Sequence, residues 1–127
     1  MKKKLLYTAS AITLVFALFH LAFPKLFGWN TDLAKLTADN KGIFLMLHVE
    51  TVFLLLVSVV ITFILARKET FTMVDRLIML FYAGFYLLRI AFSPMFFGIS
   101  SGELVVWFLC LITAGCYIIP IIQGNKK

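Results

Sequence analysis

Apolar and polar positions alternate on a long scale in this chain: four extended apolar stretches are separated by short polar breaks. The first runs from about Leu5 to Phe23 and meets Pro24. The second runs from about Ile43 to Ala66. The third runs from about Val74 to Phe92 and meets Ser93-Pro94. The fourth runs from about Leu104 to Ile122. Each holds roughly 19–24 residues, and a helix needs about 20 to cross the hydrocarbon core of a bilayer. Backbone N–H and C=O groups in lipid must be satisfied within the segment, so the pattern predicts four membrane-spanning helices. No strand-like alternation competes with it. The expected fold is an all-α, single-domain, membrane-spanning four-helix bundle over residues 1–127.

The break between the first two stretches carries its own pattern. Leu26, Phe27 and Trp29 suit the headgroup zone, where Trp is enriched. Asn30 or Thr31 can cap a short helix with Leu33 and Leu36 on one face and Asp32 in its first turn. A short interfacial helix is therefore expected over the mouth of the bundle. Asp39, Asn40 and Gly42 are then expected to turn the chain into the second span.

Within the spans, polar residues fall in rows. Asp75, Met79, Tyr82, Tyr86, Arg89 and Ser93 are spaced 4, 3, 4, 3, 4, a seam on one face of the third helix. His48, Thr51, Leu55, Ser58 and Thr62 form a matching row on the second. Ser10, Thr13, Ala17 and His20 do so on the first, and Glu103, Trp107, Cys110, Ala114 and Tyr117 on the fourth. A membrane helix hides such a stripe from lipid, so the four rows are expected to face one another.

Composition confirms the class. The 127 residues are 62% hydrophobic and only 14% charged, with a mean hydropathy of +1.01. That excludes a disordered chain and almost any soluble domain. Lys2, Lys3 and Lys4 before an apolar run resemble a secretory signal. The run is too long for one and no small-residue cleavage site precedes Pro24, so it is read as an uncleaved span.

The net charge of +6 is a topology signal. Lys2, Lys3, Lys4, Arg67, Lys68, Arg76, Lys126 and Lys127 fall on one side, and only Lys25, Lys35, Lys41 and Arg89 on the other. The positive-inside rule places both termini in the cytoplasm of a bacterial inner membrane. No basic face is left in water for a nucleic acid.

Depth then selects candidate functional residues. His20 lies about 4.5 Å from the outer end of the first helix and His48 about 7.5 Å from that of the second, so the two imidazoles share a layer. Glu50 is slightly deeper, Arg89 enters from the third helix, and Glu103 stands at the mouth. Glu50 and Arg89 are expected to pair, since an unpaired carboxylate there is costly. Three uses remain open for the pair: fixing helix packing, binding a solute, or carrying a proton. Glu50 turned to a wet surface or a partner subunit is the other option. One caution is helical phase, because Glu50 lies about 200° around from His48.

Tyr82, Tyr86 and Trp107 either line a pocket with these groups or fill core around a bonded polar tip. His20 and His48 as ligands of a haem iron or a metal form a weaker alternative, since no further ligand shares their layer. Cys110 and Cys116, six residues apart on one helix, cannot bridge each other and read as packing. No catalytic constellation, cofactor motif or dedicated metal set is found.

Several stretches together resemble a family of small bacterial inner-membrane proteins with four spans. They are Phe19-His20, Lys25-Leu26-Phe27-Gly28-Trp29, Asp32-Leu33-Ala34-Lys35-Leu36, Asn40-Lys41-Gly42-Ile43, Leu87-Leu88-Arg89, Met95-Phe96-Phe97 and Gly115-Cys116-Tyr117-Ile118-Ile119-Pro120. His48 departs from the Asn expected there. The resemblance implies the four-span topology and draws attention to Trp29, Asn40 and Arg89, but implies no chemistry.

Three function classes follow. The first is binding or transport of a small solute or ion in an outer pocket. Its candidate binding residues are Arg89, Glu50, His48, His20, Tyr86, Tyr82, Trp107 and Glu103. The second is an accessory or structural subunit of a membrane complex, whose polar seam only packs helices or docks a membrane partner or a second copy. The third is a redox subunit that holds haem or meets quinone.

Overall fold

The apolar stretches become helices that extend beyond their apolar limits into the flanking residues. The computed structural model describes residues 1–123, as α1 (Lys2–Leu26), α2 (Trp29–Asp32), α3 (Ala38–Ala66), α4 (Met73–Phe97) and α5 (Ser101–Gln123). Lys126 and Lys127, counted in the charge asymmetry, lie outside the described residues. No strand occurs among the described residues.

Asp39, Asn40 and Gly42 do not turn the chain, as expected, but form the first turns of α3. The cap is Thr37, whose hydroxyl accepts the Asn40 N–H at 3.4 Å. α4 opens with a capping box: Thr72 accepts the Asp75 N–H at 3.2 Å, and the Asp75 carboxylate accepts the Thr72 N–H at 2.9 Å.

The two prolines expected to end helices sit inside their last turns instead. α1 continues past Pro24 to close with Phe27 N–H on Phe23 O at 2.9 Å. α4 continues past Pro94 to close with Gly98 N–H on Pro94 O at 3.2 Å. A proline removes one donor, whereas leaving the helix would strand several more.

The short interfacial helix is present but starts earlier than expected. Gly28, at φ 59°, precedes it in a left-handed conformation, and Trp29 is its first residue. Asp32 falls in its first turn, as expected, but Gly28 takes the cap position in place of Asn30 or Thr31, and the Asp32 carboxylate accepts from Lys35 at 3.0 Å. A 3₁₀ turn over Leu33–Lys35 follows. It separates the two leucines expected on one face, burying Leu33 and leaving Leu36 exposed.

α1 packs along both α3 and α5, and α4 packs along α5. The four rows face the interior as their spacing predicts. Leu55, Met79, Tyr86, Ala114 and Tyr117 are buried, together with Thr13, Ser58, Thr62 and Ser93. Polar side chains cross-link the helices at mid-depth. Thr13 bonds the Tyr86 hydroxyl at 2.7 Å, Thr62 bonds the Tyr117 hydroxyl at 2.8 Å, and Ser10 donates to Val59 O at 3.1 Å. Such bonds and the small residues beside them hold helices together where lipid supplies no hydrophobic drive.

The outward surface is almost wholly apolar, with Phe53, Phe81 and Phe108 well exposed. Four of the helices are long and apolar enough to cross a membrane. A continuous apolar girdle of this kind is untenable in water, so the fold is that of a multi-pass membrane protein.

The two ends of the bundle differ. At one, Lys3 pairs with Glu69, and Lys68 pairs with the buried Asp75 at 2.6 Å. The Lys3 ammonium holds the exposed Glu69 carboxyl below its usual range. The start of α1 and the loop before α4 are thus on the same side. The opposite end carries Trp29 and the α2 cover.

Candidate functional site

The rows that are sealed at mid-depth loosen at the Trp29 end. His20, His48, Thr51, Arg89, Glu103 and Trp107, each the outer member of its row or next to it, are only partly buried. Ser93, the last of the α4 row, remains buried. Between α1, α2 and α3 at this end lies an open cavity of about 410 Å³, which the α5 row does not line.

The α1 wall of the cavity is His20, Phe23 and Phe27, spaced 3 and 4 on one helical face. The α3 wall is Phe44, Leu47, His48 and Thr51. Phe97 borders it from α4 and Trp29 from α2. The left-handed Gly28 reverses the chain so that the indole lies against His48, with ring centroids 4.7 Å apart, and against Phe44, also at 4.7 Å.

His20 Nδ1 donates to Phe16 O at 2.8 Å. A carbonyl only accepts, so the neutral ring keeps its proton on Nδ1 and presents the Nε2 lone pair. Phe23 lies between the two imidazoles, 4.3 Å from His20 and 6.1 Å from His48, with both pairs stacked. The structure thus brings His20 and His48 together, as their shared layer predicts, but across a phenyl ring. Ligation of one centre by both would require that ring to leave. Among the described residues, no three His, Cys, Asp or Glu side chains are grouped to hold a metal.

A second cluster adjoins the cavity. Arg89 Nη2 bonds both oxygens of Glu103 at 3.2 Å, and Ser93 Oγ donates to Glu103 Oε2. Ser100 Oγ accepts the Glu103 N–H at 3.2 Å, which anchors the start of α5. The guanidinium carbon sits 4.7 Å from the centroid of Phe97, the ring that also lines the cavity. Arg89 and His48 are both within electrostatic reach of His20.

One guanidinium nitrogen serves both carboxylate oxygens, so the fork is not filled. Arg89 Nη1 is buried without a hydrogen-bond partner among the described residues. Trp107 Nε1 is also buried and turns its N–H toward the Glu103 carboxylate.

Comparison with protein-family models, with curated proteins and with solved structures returns no match.

The expected Glu50–Arg89 pair is not formed. Arg89 pairs with Glu103 instead, and Glu50 is exposed on the outward side of α3. Two physical reasons combine. His48 and Glu50 lie about 200° apart on one helix, so a pocket that takes the first turns the second away. α4 also packs along α5, which puts the α5 carboxylate within reach of the α4 guanidinium.

Tyr82 and Tyr86 fall below the pocket, in the core. The Tyr86 hydroxyl is held by Thr13, and Tyr82 packs on Tyr117 at 5.5 Å. Sequence reasoning left out the pocket's aromatic wall: Phe23, Phe44 and Phe97, with Phe27 and Trp29 placed only at the interface. A signal was present in the spacing of His20, Phe23 and Phe27, but the stop expected at Pro24 hid it.

Proposed function

We propose that this is a bacterial inner-membrane protein with both termini in the cytoplasm, which binds a small, largely apolar solute in the pocket at its outer end. The observation that carries the reading is the cavity of about 410 Å³ with five aromatic walls and two imidazoles. Small-molecule sites typically combine apolar lining with a few placed polar groups in about 300–1,000 Å³. His20 and His48 supply those groups here, and the charge of Arg89 is already balanced by Glu103. The lining favours an amphiphile or ring compound over a free inorganic ion. The orientation rests on the basic residues gathered at the Lys3 end.

The test is thermal stability in mild detergent against a panel of amphiphiles, ring compounds, anions and metals, read with tryptophan fluorescence because Trp29 lines the cavity. The expected result is a ligand that raises the midpoint of the wild type and quenches its emission, with both effects weakened in His48→Ala. Failure of the whole panel overturns the reading.

Glu50 favours a second reading, an accessory subunit. An exposed carboxylate on an apolar membrane face suits a partner helix that carries a donor. Co-purification of a stoichiometric partner that Glu50→Ala abolishes would support it. The third reading, haem held by His20 and His48, is tested by a Soret band in protein from haem-replete cells, lost in either alanine variant.

A further inference from the structure

The end of the bundle opposite Trp29 holds a second open cavity, of about 500 Å³. Three separate parts of the fold line it. Lys2, Lys3 and Lys4 come from the start of α1, Lys68 and Glu69 from the loop before α4, and Gln123 from the end of α5. Four ammonium groups therefore border one space together with a single carboxylate.

These charges are not all balanced. Glu69 is taken by Lys3, and Lys68 is turned to the buried Asp75 at 2.6 Å. Lys2 and Lys4 have no acidic partner among the described residues. A cleft lined by one sign of charge concentrates the opposite sign. Lysine is a compact charge with three donors and no acceptor, which suits the oxygens of a phosphate.

Depth decides where that phosphate comes from. Lys4 is followed at once by Leu5, the first residue of the α1 apolar run, and Gln123 directly follows the exposed Ile122. The cavity thus lies where hydrocarbon gives way to headgroups. Basic pockets between spanning helices are suited to anionic headgroups at this height. A topology signal alone would need lysines near the end of a span. It would not need them to border one cavity with Lys68, far along the chain.

We propose that this cavity binds the phosphate of one anionic phospholipid, with Lys2 and Lys4 supplying the open charge. The site is independent of the solute pocket at the other end.

The test is native mass spectrometry of the full chain in neutral detergent. It is titrated with dioleoylphosphatidylglycerol or with dioleoylphosphatidylcholine, which has the same acyl chains but no net charge. One phosphatidylglycerol should bind saturably, about tenfold tighter than phosphatidylcholine, the yield of two lysines at the membrane surface. Lys2→Gln/Lys4→Gln should cut that preference to about threefold or less. Lys35→Gln/Lys41→Gln removes the same charge at the other end and should leave it intact. Glu69→Gln frees Lys3 and should tighten phosphatidylglycerol about threefold, a gain that impaired folding cannot produce. Millimolar inorganic phosphate, which lacks acyl chains, should not displace the lipid.

Equal binding of the two lipids overturns the proposal. So does a preference that survives Lys2→Gln/Lys4→Gln or falls equally in both double variants, or an affinity that does not rise in Glu69→Gln. Successive binding of many lipids without saturation overturns a site in favour of diffuse attraction. Displacement by inorganic phosphate overturns the lipid as the source of the anion.

Discussion

Gly98 holds φ 67° and ψ −161°, a conformation essentially reserved for glycine, at the point where α4 ends and the chain crosses to α5. A Cβ there would meet nothing within 4 Å, so any penalty comes from the backbone alone. Gly98→Ala should lower stability by about 1–3 kcal/mol. Gly84, inside α4, also has open space around it, yet its backbone is helical. Gly84→Ala should raise stability by about 0.5–1 kcal/mol. Thermal unfolding in one detergent compares the two, and a shift of the same sign in both would contradict this account. Glu50 belongs to the same scale. Exposed and turned away from Arg89, it should tolerate Glu50→Gln within about 0.5 kcal/mol.

Between elements, the contacts to test are polar ones across helix pairs. Arg89 and Glu103 tie α4 to α5 with two 3.2 Å contacts. Arg89→Gln and Glu103→Gln should each lower stability by about 1.5–3 kcal/mol, the range for a hydrogen bond to a charged group. The side chain of Arg89 is 33% exposed, which keeps the value below that of a fully buried pair. The double variant should fall short of the sum by at least about 0.5 kcal/mol. Arg89→Gln combined with Glu50→Gln should be additive, because these two do not meet. Coupling of Arg89 to Glu50 in place of Glu103 would refute the pairing described here. At mid-depth, Thr13→Val strips the Tyr86 hydroxyl of its 2.7 Å partner. It should lower stability by about 1–3 kcal/mol, and Tyr86→Phe in that background should lower it little further.

For the whole molecule, the question is which end faces which compartment. Lys3 and Glu69 are in contact, so they share a side whatever the orientation. Single cysteines at positions 3 and 69 should react with a reagent supplied from the cytoplasm, and those at 35 and 99 with one supplied from outside. Cys110 and Cys116 are buried and give little background. Reaction of position 35 from the cytoplasmic side would reverse the topology and move the pocket to the other face of the membrane. The same experiment bears on where a solute enters, since the cavity lies wholly at the Trp29 end.

Several features were legible in the residues alone because they depend on one helix at a time. Length and apolarity specify a spanning helix without reference to any neighbour. The 4, 3, 4, 3, 4 spacing from Asp75 to Ser93 marks an inward face, and five of those six residues are indeed buried. The shared layer of His20 and His48 follows from rise per residue, and they do meet at one cavity. Other features needed the assembled bundle. Arg89 had two carboxylates at plausible depth. The choice of Glu103 depended on α4 lying along α5 and on the rotation of α3 that turns Glu50 outward, and neither is a property of a single segment. The pocket itself arises where α1 runs one turn past Pro24, α4 runs past Pro94, and a left-handed Gly28 folds Trp29 back against His48. Sequence patterns report the local preference of a proline or a glycine. Whether a helix ends there is decided by what its backbone would otherwise leave unsatisfied, and that depends on the tertiary surroundings.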